Sequence, residues 1–348
     1  MKTVSSKVKI SVRDLFKVFG EDPVSILPLL YDGIDKAELQ KNSDHVLALN
    51  NINIDIFDGL ITVIMGLSGS GKSTLVRHMN RLIEPTSGKI LLDGNDIMDY
   101  GEHELRELRQ KRMSMVFQKF ALMPHQTVLE NTIMAPIVRG ENIEKATENG
   151  LKWLKRVDLE GSEQAYPSQL SGGMQQRVGL ARALTSDAET MLMDEAFSAL
   201  DPLIRTSMQD LLLELQQDLH KTIIHITHDL DEALKLADHL VILKDGFVVQ
   251  QGEPQQILLK PSDPYIEEFV SDINRARVLK IRSVMKEGSK RKISHGTVNA
   301  NTSLETLIAI AEGDTSRIYE VEDEGKEIGT ISMQEVFQAL VRYDIQHK

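Results

Sequence analysis

Residues 61–74 read ITVIMGLSGSGKST, and this stretch decides the fold class of the chain. The apolar run at 61–65 predicts a buried strand, and TLVRHMNRLI at 74–83 predicts a helix. A glycine-rich loop between a strand and a helix binds phosphate, because backbone N–H groups and the helix N-terminus face the anion. A chance match in a glycine-rich turn is the alternative, but it does not account for strand, motif and helix together. The sequence therefore predicts a nucleotide site.

The residues of the glycine-rich loop have different chemical roles. Its glycines allow the backbone to curl around phosphate groups, and Lys72 reaches the β- and γ-phosphates. The hydroxyl group of Ser73 is placed to ligate Mg²⁺. The predicted nucleotide-binding residues are Gly66, Ser68, Gly69, Ser70, Gly71, Lys72, Ser73 and Thr74.

Short apolar runs like ITVIM recur along the chain, and amphipathic stretches of helical length separate them. This alternation predicts an α/β fold with a mainly parallel sheet covered by helices. The other runs are MSMVF (113–117), MLM (191–193), TIIHIT (222–227) and LVILK (240–244).

Polar side chains follow three of these runs. Asp194 and Glu195 come directly after MLM, so they are expected at the carboxyl edge of the sheet, with Asp194 as the water-mediated partner of Mg²⁺ and Glu195 as the general base. Gln118 follows MSMVF and binds the metal or the attacking water, and His228 follows TIIHIT and contacts the γ-phosphate. Adjacent acids are also common surface residues, a lone glutamine proves little, and a histidine here also fits a cap. His225, inside its strand, is interpreted as a packing residue.

The composition of the chain argues against several classes of function. The 348 residues are 41% hydrophobic and 26% charged, as in an ordinary globular protein, and the net charge of −12 argues against nucleic acid as a partner. With no cysteine, disulfides and thiol catalysis are excluded. No apolar run approaches the roughly 20 residues that span a bilayer, and MKTVSSKVKISVRD at the N-terminus lacks a signal-peptide core.

The chain is expected to form two domains. A first domain over 1–272 contains an insertion at 21–45, in which KAELQKNSD predicts a short helix. Residues 273–295 are rich in lysine and arginine and predict a linker. Residues 296–348 form a small α+β unit with the predicted order strand, helix, strand, a turn at Glu324-Gly325, strand and helix.

A further motif, LSGGMQQR, occupies residues 170–177. Its serine and glycines open a helix and so form an anion-binding N-terminus, although Ser171 alone is also a plain N-cap. Together with SALD (198–201) and the motifs above, in this order and spacing, it resembles the ATP-binding subunit of ABC transporters over about residues 8–260.

This resemblance implies ATP as the cofactor together with Mg²⁺, a helical subdomain beside the sheet, and a head-to-tail dimer that hydrolyses ATP. Lys72, Glu195 and His228 would act on the ATP bound to their own chain, and Gln118 is expected with them as a catalytic and metal-binding residue. Asp201 would couple the two sites, although with Pro202 it also fits the start of a helix, and Phe19 would stack on adenine. The residues that would act on the ATP of the other copy are Ser171, Gly172, Gly173 and Gln175.

Stretches such as MVFQKFALMPHQTVLENT and LMDEAFSALDPLIRTSMQD are most similar to the branch that imports glycine betaine, proline betaine and choline. The resemblance implies a peripheral protein on the cytoplasmic face of the membrane, with transmembrane permease subunits and an external substrate-binding protein as partners. It also implies that the permease docks on an apolar cluster, although such residues are more often core. The cluster is Phe120, Leu122, Met123 and Pro124.

The C-terminal unit contains SVMKEG, the helix SLETLIAIAE and the strand-turn-strand segment RIYEVEDEGKEIGTIS, and on these stretches it resembles a CBS module from about residue 283 to 341. Such modules work in pairs and regulate transport through ionic strength or an adenine nucleotide, so the single copy here is expected to pair across the dimer. The basic residues at 275–292 fit contact with anionic lipid, and they fit equally a solvated linker that pairs with the acids of the chain itself.

Other functions stay open at this point. A soluble ABC-type ATPase of DNA repair or translation shares the site, but the negative charge and the lack of a long coiled-coil insertion oppose it. An ABC ATPase for a different small solute is a second alternative. A regulatory module that binds ATP without hydrolysis is a third, and the presence of both Glu195 and His228 argues against it. Ordinary P-loop kinases lack LSGGMQQR.

Overall fold

A computed structural model describes residues 7–341 of the chain apart from 35, 199, 272 and 289–293. The chain divides into two compact units, Met1–Gln251 and Gly252–Lys348. Ala199 of the SALD motif, and Lys290, Arg291 and Lys292 of the basic stretch, lie outside the described residues. Within the described ranges no helix has the length and apolarity needed to cross a bilayer.

The first unit combines two sheets with helices between their strands. Its strands are β1 (Val8–Phe19), β2 (Val46–Phe57), β3 (Ile61–Met65), β4 (Ser87–Leu92), β5 (Asn95–Asp96), β6 (Met113–Val116), β7 (Thr190–Asp194), β8 (Thr222–Thr227), β9 (His239–Lys244) and β10 (Phe247–Gly252). Its helices are α1 (Leu27–Tyr31), α2 (Lys36–Asn42), α3 (Lys72–Met79), α4 (Glu102–Glu107), α5 (Val128–Val138), α6 (Ile143–Arg156), α7 (Gly172–Thr185), α8 (Pro202–Leu219) and α9 (Leu230–Leu236).

The central sheet has the strand order β10-β9-β3-β8-β7-β6. The strands from β9 to β6 pair in parallel, and every residue of β3, β7 and β8 is buried. Strands that are covered on both faces need apolar side chains on both faces, which explains their continuous apolar sequences. The predicted α/β fold with a mainly parallel sheet is therefore confirmed.

The second sheet, in the order β2-β1-β4-β5, is antiparallel. Side chains of β1 such as Ile10 and Val12 join the main core with the central strands. Phe16 and Val18 instead join a smaller core with residues of the insertion at 21–45. The helix that KAELQKNSD predicts is present as α2, so the insertion covers this part of the sheet.

Helices α5, α6 and α7 pack on one another and form a helical subdomain between β6 and β7 of the chain. Hydrogen bonds to the side chains of Thr127, Asn142 and Ser171 fix the first turns of the three helices. At Gly150 of α6 a side chain would place its Cβ 2.4 Å from Ile133, so the glycine allows α5 and α6 to approach closely.

The second unit is a small α+β domain. Its elements are α10 (Pro254–Leu259), α11 (Pro264–Phe269), α12 (Arg275–Val278), α13 (Ile281–Val284), β11 (Lys286–Glu287), β12 (Thr297–Asn299), α14 (Leu304–Ile310), β13 (Ile318–Asp323), β14 (Lys326–Ser332) and α15 (Met333–Leu340). The sheet order is β11-β14-β13-β12, and the predicted sequence of elements from β12 to α15 is present. Positive φ angles at Glu324 and Gly325 turn the chain between β13 and β14.

The boundary between the units differs from the predicted one. The chain divides at Gln251, whereas the sequence placed the end of the first domain at 272. The segment expected as a linker contains α12 and α13, and Leu279 and Ile281 within it are fully buried. Backbone N–H groups of Ile281 and Arg282 donate to carbonyls after β12, so this basic segment is built into the second unit. Its apolar residues, spaced between the basic ones, supply the packing.

Candidate active site

The glycine-rich loop joins β3 to α3 and lies tightly against neighbouring backbone. A side chain at Gly66 would place its Cβ 2.1 Å from the carbonyl oxygen of Leu243, and one at Gly71 would place it 2.6 Å from that of Ala48. Both glycines also have positive φ angles, 153° and 99°. The backbone path of the loop therefore requires glycine at these two positions.

Lys72 begins α3 and is buried. Its Nζ donates hydrogen bonds to the carbonyls of Gly66 (2.8 Å) and Leu67 (2.9 Å). Burial lowers the pKa of Lys72, although the nearby carboxylates of Glu195 and Asp194 oppose this shift. The ammonium group is thus held against the backbone of its own loop and close to the two acids that the sequence singles out.

Ser73 and Asp194 meet across the loop. The Ser73 hydroxyl donates to Oδ1 of Asp194 at 2.7 Å, and Arg77 of α3 contacts Oδ2 at 3.1 Å. Asp194 ends β7 and is fully buried, so its charge needs both partners. The Ser70 hydroxyl is buried and has no hydrogen-bond partner among the described residues.

These oxygen donors suit Mg²⁺, which prefers oxygen ligands and keeps several that are not protein groups. No cluster of three or more histidine, aspartate or glutamate side chains that could hold a metal occurs in the described part of the chain. Ser73 and Asp194 therefore fit a metal whose other ligands are phosphate oxygens and water.

Glu195 lies where the ends of three parallel strands meet. Gln118, after β6, donates from Nε2 to Oε2 of Glu195 at 2.7 Å. His228, after β8, places Nδ1 3.6 Å from Oε1. The Glu195 side chain is 16% exposed and that of His228 is 58% exposed, so this group of side chains is open to a ligand. The structure thus brings together three residues that the sequence predicted only separately.

The backbone of Glu195 departs from the strand at this point. Its φ angle is 49°, and its N–H group donates to the carbonyl of Ile226 at 3.2 Å. The side chain of Ser198 donates back to the carbonyl of Glu195 at 2.9 Å. Left-handed backbone at a residue other than glycine is uncommon and is found at functional sites, and here it turns the carboxylate out of the sheet.

His225 has the packing position that the sequence indicated. Its ring is fully buried, 5.3 Å from that of Phe197. Its Nε2 contacts a carboxylate oxygen of Glu232, a buried residue of α9 whose other oxygen accepts from Thr227. Sequence reasoning missed Glu232, since an acid in the first turn of a helix ordinarily indicates only a favourable helix dipole.

The LSGG segment forms the start of α7. The Ser171 hydroxyl accepts from the N–H of Met174 at 3.2 Å, so this residue is the N-cap. Gln175 donates to the carbonyls of Pro167 (3.0 Å) and Leu170 (3.3 Å), and its side chain therefore holds the preceding turn. A methyl group at Gly173 would lie 3.2 Å from the side chain of Leu200.

Asp201 and Phe19 have clear local roles. Asp201 is the N-cap of α8, and its Oδ1 accepts from the N–H of Ile204 at 3.2 Å, with Pro202 as the first helical residue. Phe19 ends β1 with 42% of its surface exposed, and Lys17 Nζ lies 4.8 Å from its ring centre. Part of the aromatic ring is thus exposed at the end of this strand.

The segment after Gln118 is held by two buried polar residues that the sequence did not reveal. Asn131 of α5 bonds to both the N–H (2.7 Å) and the carbonyl (3.1 Å) of Met123. Arg182 of α7 donates to the carbonyls of Phe120 (3.0 Å) and Ala121 (2.7 Å), and burial lowers its pKa. Arg182 and Phe120 are 62 residues apart, so no local pattern indicates this contact.

The strand, the glycine-rich loop and the converging carboxylates define a nucleotide-hydrolysing domain of the P-loop class. The family model for ABC transporters matches residues 49–198. Two solved structures, titled as the dimeric structure of MJ0796, a bacterial ABC transporter cassette, and as its dimeric post-hydrolysis state bound to ADP and Pi, are similar. Each has a TM-score of 0.61 and 31% identity and covers 70% of this chain and 98% of its own.

Curated relatives extend over nearly the whole chain. The glycine betaine transport ATP-binding protein OpuAA of Bacillus subtilis is 48% identical over 95% of this chain and 78% of its own length. ProV of Escherichia coli, a glycine betaine/proline betaine transport protein, is 42% identical over 96% and 83%. The trimethylamine N-oxide transport protein TmoW of Ruegeria pomeroyi is 41% identical over 98% and 99%.

The chain belongs to the family of ABC transporter ATP-binding proteins. It is an ATP-binding subunit and an ATPase coupled to transport, and such subunits act as dimers on membrane-spanning partner subunits. The resemblance that the motifs indicated is therefore confirmed.

Proposed function

We propose that two copies of the chain pair head to tail, hydrolyse ATP, and so power import of a small quaternary or methylated amine osmolyte through separate membrane subunits. The observation that carries the proposal is the convergence of Gln118, Glu195 and His228 beside the phosphate loop. The solute class rests on the relatives, whose names specify glycine betaine, proline betaine or trimethylamine N-oxide. Choline belongs to the same class and is named for a further relative of 45% identity.

In the proposed complex Lys72 exchanges its contacts with the carbonyls of Gly66 and Leu67 for the β- and γ-phosphates. The exchange is favourable because phosphate oxygens carry negative charge and the site around Lys72 is dry. Ser73, Asp194 and Gln118 would hold Mg²⁺, which neutralises charge on the phosphates.

Glu195 would accept a proton from the attacking water, which Gln118 would help to orient. His228 would donate a hydrogen bond to the γ-phosphate from the same side. The resemblance assigns Ser171, Gly172, Gly173 and Gln175 of the other copy to that phosphate, Asp201 would couple the two sites, and Phe19 would stack on adenine.

The contacts of Gln175 sharpen this assignment. Its amide is occupied by the carbonyls of Pro167 and Leu170, whereas the Ser171 hydroxyl and the N–H groups that follow it lie at the helix start. We therefore propose that Gln175 acts by fixing the turn before α7, and that Ser171 and the two glycines make the contact with phosphate.

The proposed partners are transmembrane permease subunits, an external substrate-binding protein and a second copy of the chain, with the protein peripheral on the cytoplasmic face of the membrane. The permease would dock on the segment from Phe120 to Pro124, where Met123 is 39% exposed. The single CBS-like unit would pair across the dimer and regulate transport. For the basic stretch, ion pairs of Arg282 with Asp323 and of Lys286 with Glu335 favour pairing within the unit over anionic lipid.

Uptake of radiolabelled glycine betaine, choline and trimethylamine N-oxide tests the proposal in cells with and without this gene, at low and high osmolarity. Loss of uptake of one solute, restored by the wild-type gene and not by Glu195→Gln, is the expected result. If no uptake changes, the solute class is wrong and the ATPase assignment stands. Stimulation of the purified ATPase by DNA or RNA would instead favour the nucleic-acid alternative.

A further inference from the structure

Arg205, in the first turns of α8, contacts two segments that lie on either side of the candidate active site. Its NH2 group donates to the carbonyl of Leu200 at 3.2 Å, and its NH1 group lies 3.4 Å from Oδ2 of Asp229. Leu200 follows Glu195 in the turn after β7, and Asp229 directly follows His228 after β8. One guanidinium group thus joins the segments that carry the proposed base and the proposed γ-phosphate contact.

At the Asp229 end, this contact fixes the backbone around His228. The N–H of Asp229 donates to the Thr227 hydroxyl at 3.0 Å, and Oδ1 of Asp229 accepts from the N–H of Glu232 at 3.1 Å as the N-cap of α9. His228 lies between these two anchored residues. The second carboxylate oxygen of Asp229 faces Arg205, so the position of His228 depends on a contact from α8.

At the Leu200 end, the same arginine reaches the residues that face the start of α7. Leu200 is buried, and its side chain is the nearest neighbour that a Cβ on Gly173 would meet, at 3.2 Å. The backbone N–H of Arg205 makes the first helical hydrogen bond of α8, to the carbonyl of Asp201 at 2.8 Å. Arg205 therefore connects the surface proposed to act on the other copy's ATP with the histidine proposed to act on the ATP of its own chain.

A small cavity lies beside Arg205, between the ends of the two segments. It is lined by Glu195, Ser198, Arg205, Thr227, His228 and Asp229, among others. The N–H of Glu195 already bonds to the carbonyl of Ile226 near the strand ends, and beside the cavity Arg205 adds a second link, from Leu200 to Asp229. The guanidinium reaches both segments with two separate donors, which an ammonium group on a lysine would satisfy less well.

We propose that Arg205 is a positioning residue for ATP hydrolysis: it couples the turn around Leu200 and Asp201 to His228, so that pairing of two copies sets the catalytic geometry. The inference rests on the proposed hydrolysis at Glu195 and His228. A purely structural link between α8 and α9 is the competing explanation, and a partly exposed ion pair of that kind contributes little to stability.

The chain offers a matched control for that explanation. Lys235 of α9 also pairs with α8, with Nζ 2.7 Å from Oδ1 of Asp210, and it contacts none of the active-site residues named above in the described structure. Lys235→Gln removes a link between the same two helices without touching Leu200 or Asp229. It separates the loss of a helix contact from the loss of active-site positioning.

Steady-state ATP hydrolysis by the full chain with Mg²⁺ tests the proposal in the wild type, Arg205→Gln, Arg205→Lys and Lys235→Gln. We expect Arg205→Gln to lower kcat about tenfold with KM for ATP and Tm unchanged, because a small misplacement of catalytic groups is costly. Arg205→Lys recovers part of the rate, and Lys235→Gln stays within about twofold of the wild type. Equal losses in Arg205→Gln and Lys235→Gln, or an unchanged kcat in Arg205→Gln, would overturn the proposal.

A second measurement does not depend on turnover and so separates this proposal from the proposed function. Hydrogen–deuterium exchange of peptides that cover 198–201 and 227–230 should rise together in Arg205→Gln and stay unchanged in Lys235→Gln. Unchanged exchange in Arg205→Gln would show that the arginine does not join the two segments. If the wild-type chain hydrolyses no ATP and this exchange pattern still holds, the proposed function is contradicted. The link that Arg205 makes between the two segments is then still supported.

Discussion

The polar residues at the strand ends have different roles in the sheets of the two units. At the carboxyl edge of the parallel sheet, Gln118, Glu195 and His228 lie together and are open to a ligand. In the second unit, the carboxylate at the end of β13, that of Asp323, forms an ion pair with Arg282. Ser332, at the end of β14, is the N-cap of α15. The parallel sheet of the first unit thus has polar groups at its edge that are available to a ligand. In the sheet of the second unit, the corresponding groups stabilise the fold of that unit.

Strand direction explains part of this contrast. The strands from β9 to β6 are parallel, so their carboxyl ends share one edge and the side chains that follow them converge there. In the second unit β13 and β14 are antiparallel, and the turn at Glu324 and Gly325 joins them directly. β12 and β13 are parallel, but the carboxylate of Asp323 at the end of β13 is paired with Arg282.

The charge states of the second unit agree with this view. The hydrogen bond from Arg282 holds the pKa of Asp323 below its usual value. Burial raises the pKa of Glu335, but Lys286 and Ser332 outweigh it, and the pKa of this carboxyl is lowered overall. Both carboxylates thus form ion pairs with basic side chains of the same unit, as expected for structural residues.

Glu195→Gln should have the largest effect on the site of the first unit. The amide cannot accept a proton from water, so turnover should fall about a thousandfold while ATP binding is kept and a dimer accumulates. Steady-state hydrolysis, nucleotide binding and gel filtration with ATP measure the three effects. Glu102→Gln, at an exposed position of α4, is the control, and an undiminished rate in Glu195→Gln would remove Glu195 from the role of base.

Asp194→Asn should have the next largest effect, because it weakens the binding of Mg²⁺. Loss of the carboxylate charge should raise the Mg²⁺ concentration for half-maximal hydrolysis about tenfold to a hundredfold. A Mg²⁺ titration of the rate measures this change. Arg77→Gln removes the partner of the same carboxylate without removing the carboxylate, so it should shift the titration much less, and equal shifts would assign the effect to the ion pair.

Acid should weaken the first unit through His78. Burial lowers the pKa of His78 to about 4, from the usual 6.5. The unfolded chain therefore binds this proton below about pH 6.5 and the folded chain does not until about pH 4, so stability falls as the pH falls between these values. At pH 5 the loss is about 2 kcal/mol.

Urea unfolding at pH 7.5 and pH 5 measures this loss. In His78→Gln, whose amide can still donate to the carbonyl of Thr74, the pH dependence should shrink by about the same amount. His103→Gln, at a surface position, should keep the pH dependence of the wild type. Identical pH dependence in wild type and His78→Gln would show that His78 is not the group that titrates.

The smallest effect should come from the second unit. Lys286→Gln breaks the pair with Glu335, but the lysine is mostly exposed, so the loss of stability should be about 1 kcal/mol or less. Hydrolysis should stay within about twofold of the wild type. Thermal unfolding and steady-state rates, with Lys286→Arg as control, check both. A tenfold change in rate would show that the second unit takes a direct part in hydrolysis.

Much of the site was predictable because its residues are marked by local patterns. The buried runs before Gly66, Asp194 and His228 identify the strands, and the motif residues follow at their ends. The partners of these residues carry no such mark. Arg77 and Arg205 resemble ordinary helix-surface arginines in the sequence, yet one contacts Asp194 and the other joins Leu200 to Asp229.

The sequence by itself determined the order of strands and helices, the phosphate loop, the family and the identity of the candidate catalytic residues. These depend on hydrophobic periodicity and on motifs within a few residues of one another. Only the tertiary structure decided that Gln118 and His228 both reach Glu195, that Gln175 holds its own turn, and that the basic segment around Leu279 is built into the second unit. The contacts of Gln118, His228 and the basic segment join residues far apart in the chain, and those of Gln175 depend on the path of the turn before α7, so packing and not a local pattern decides them.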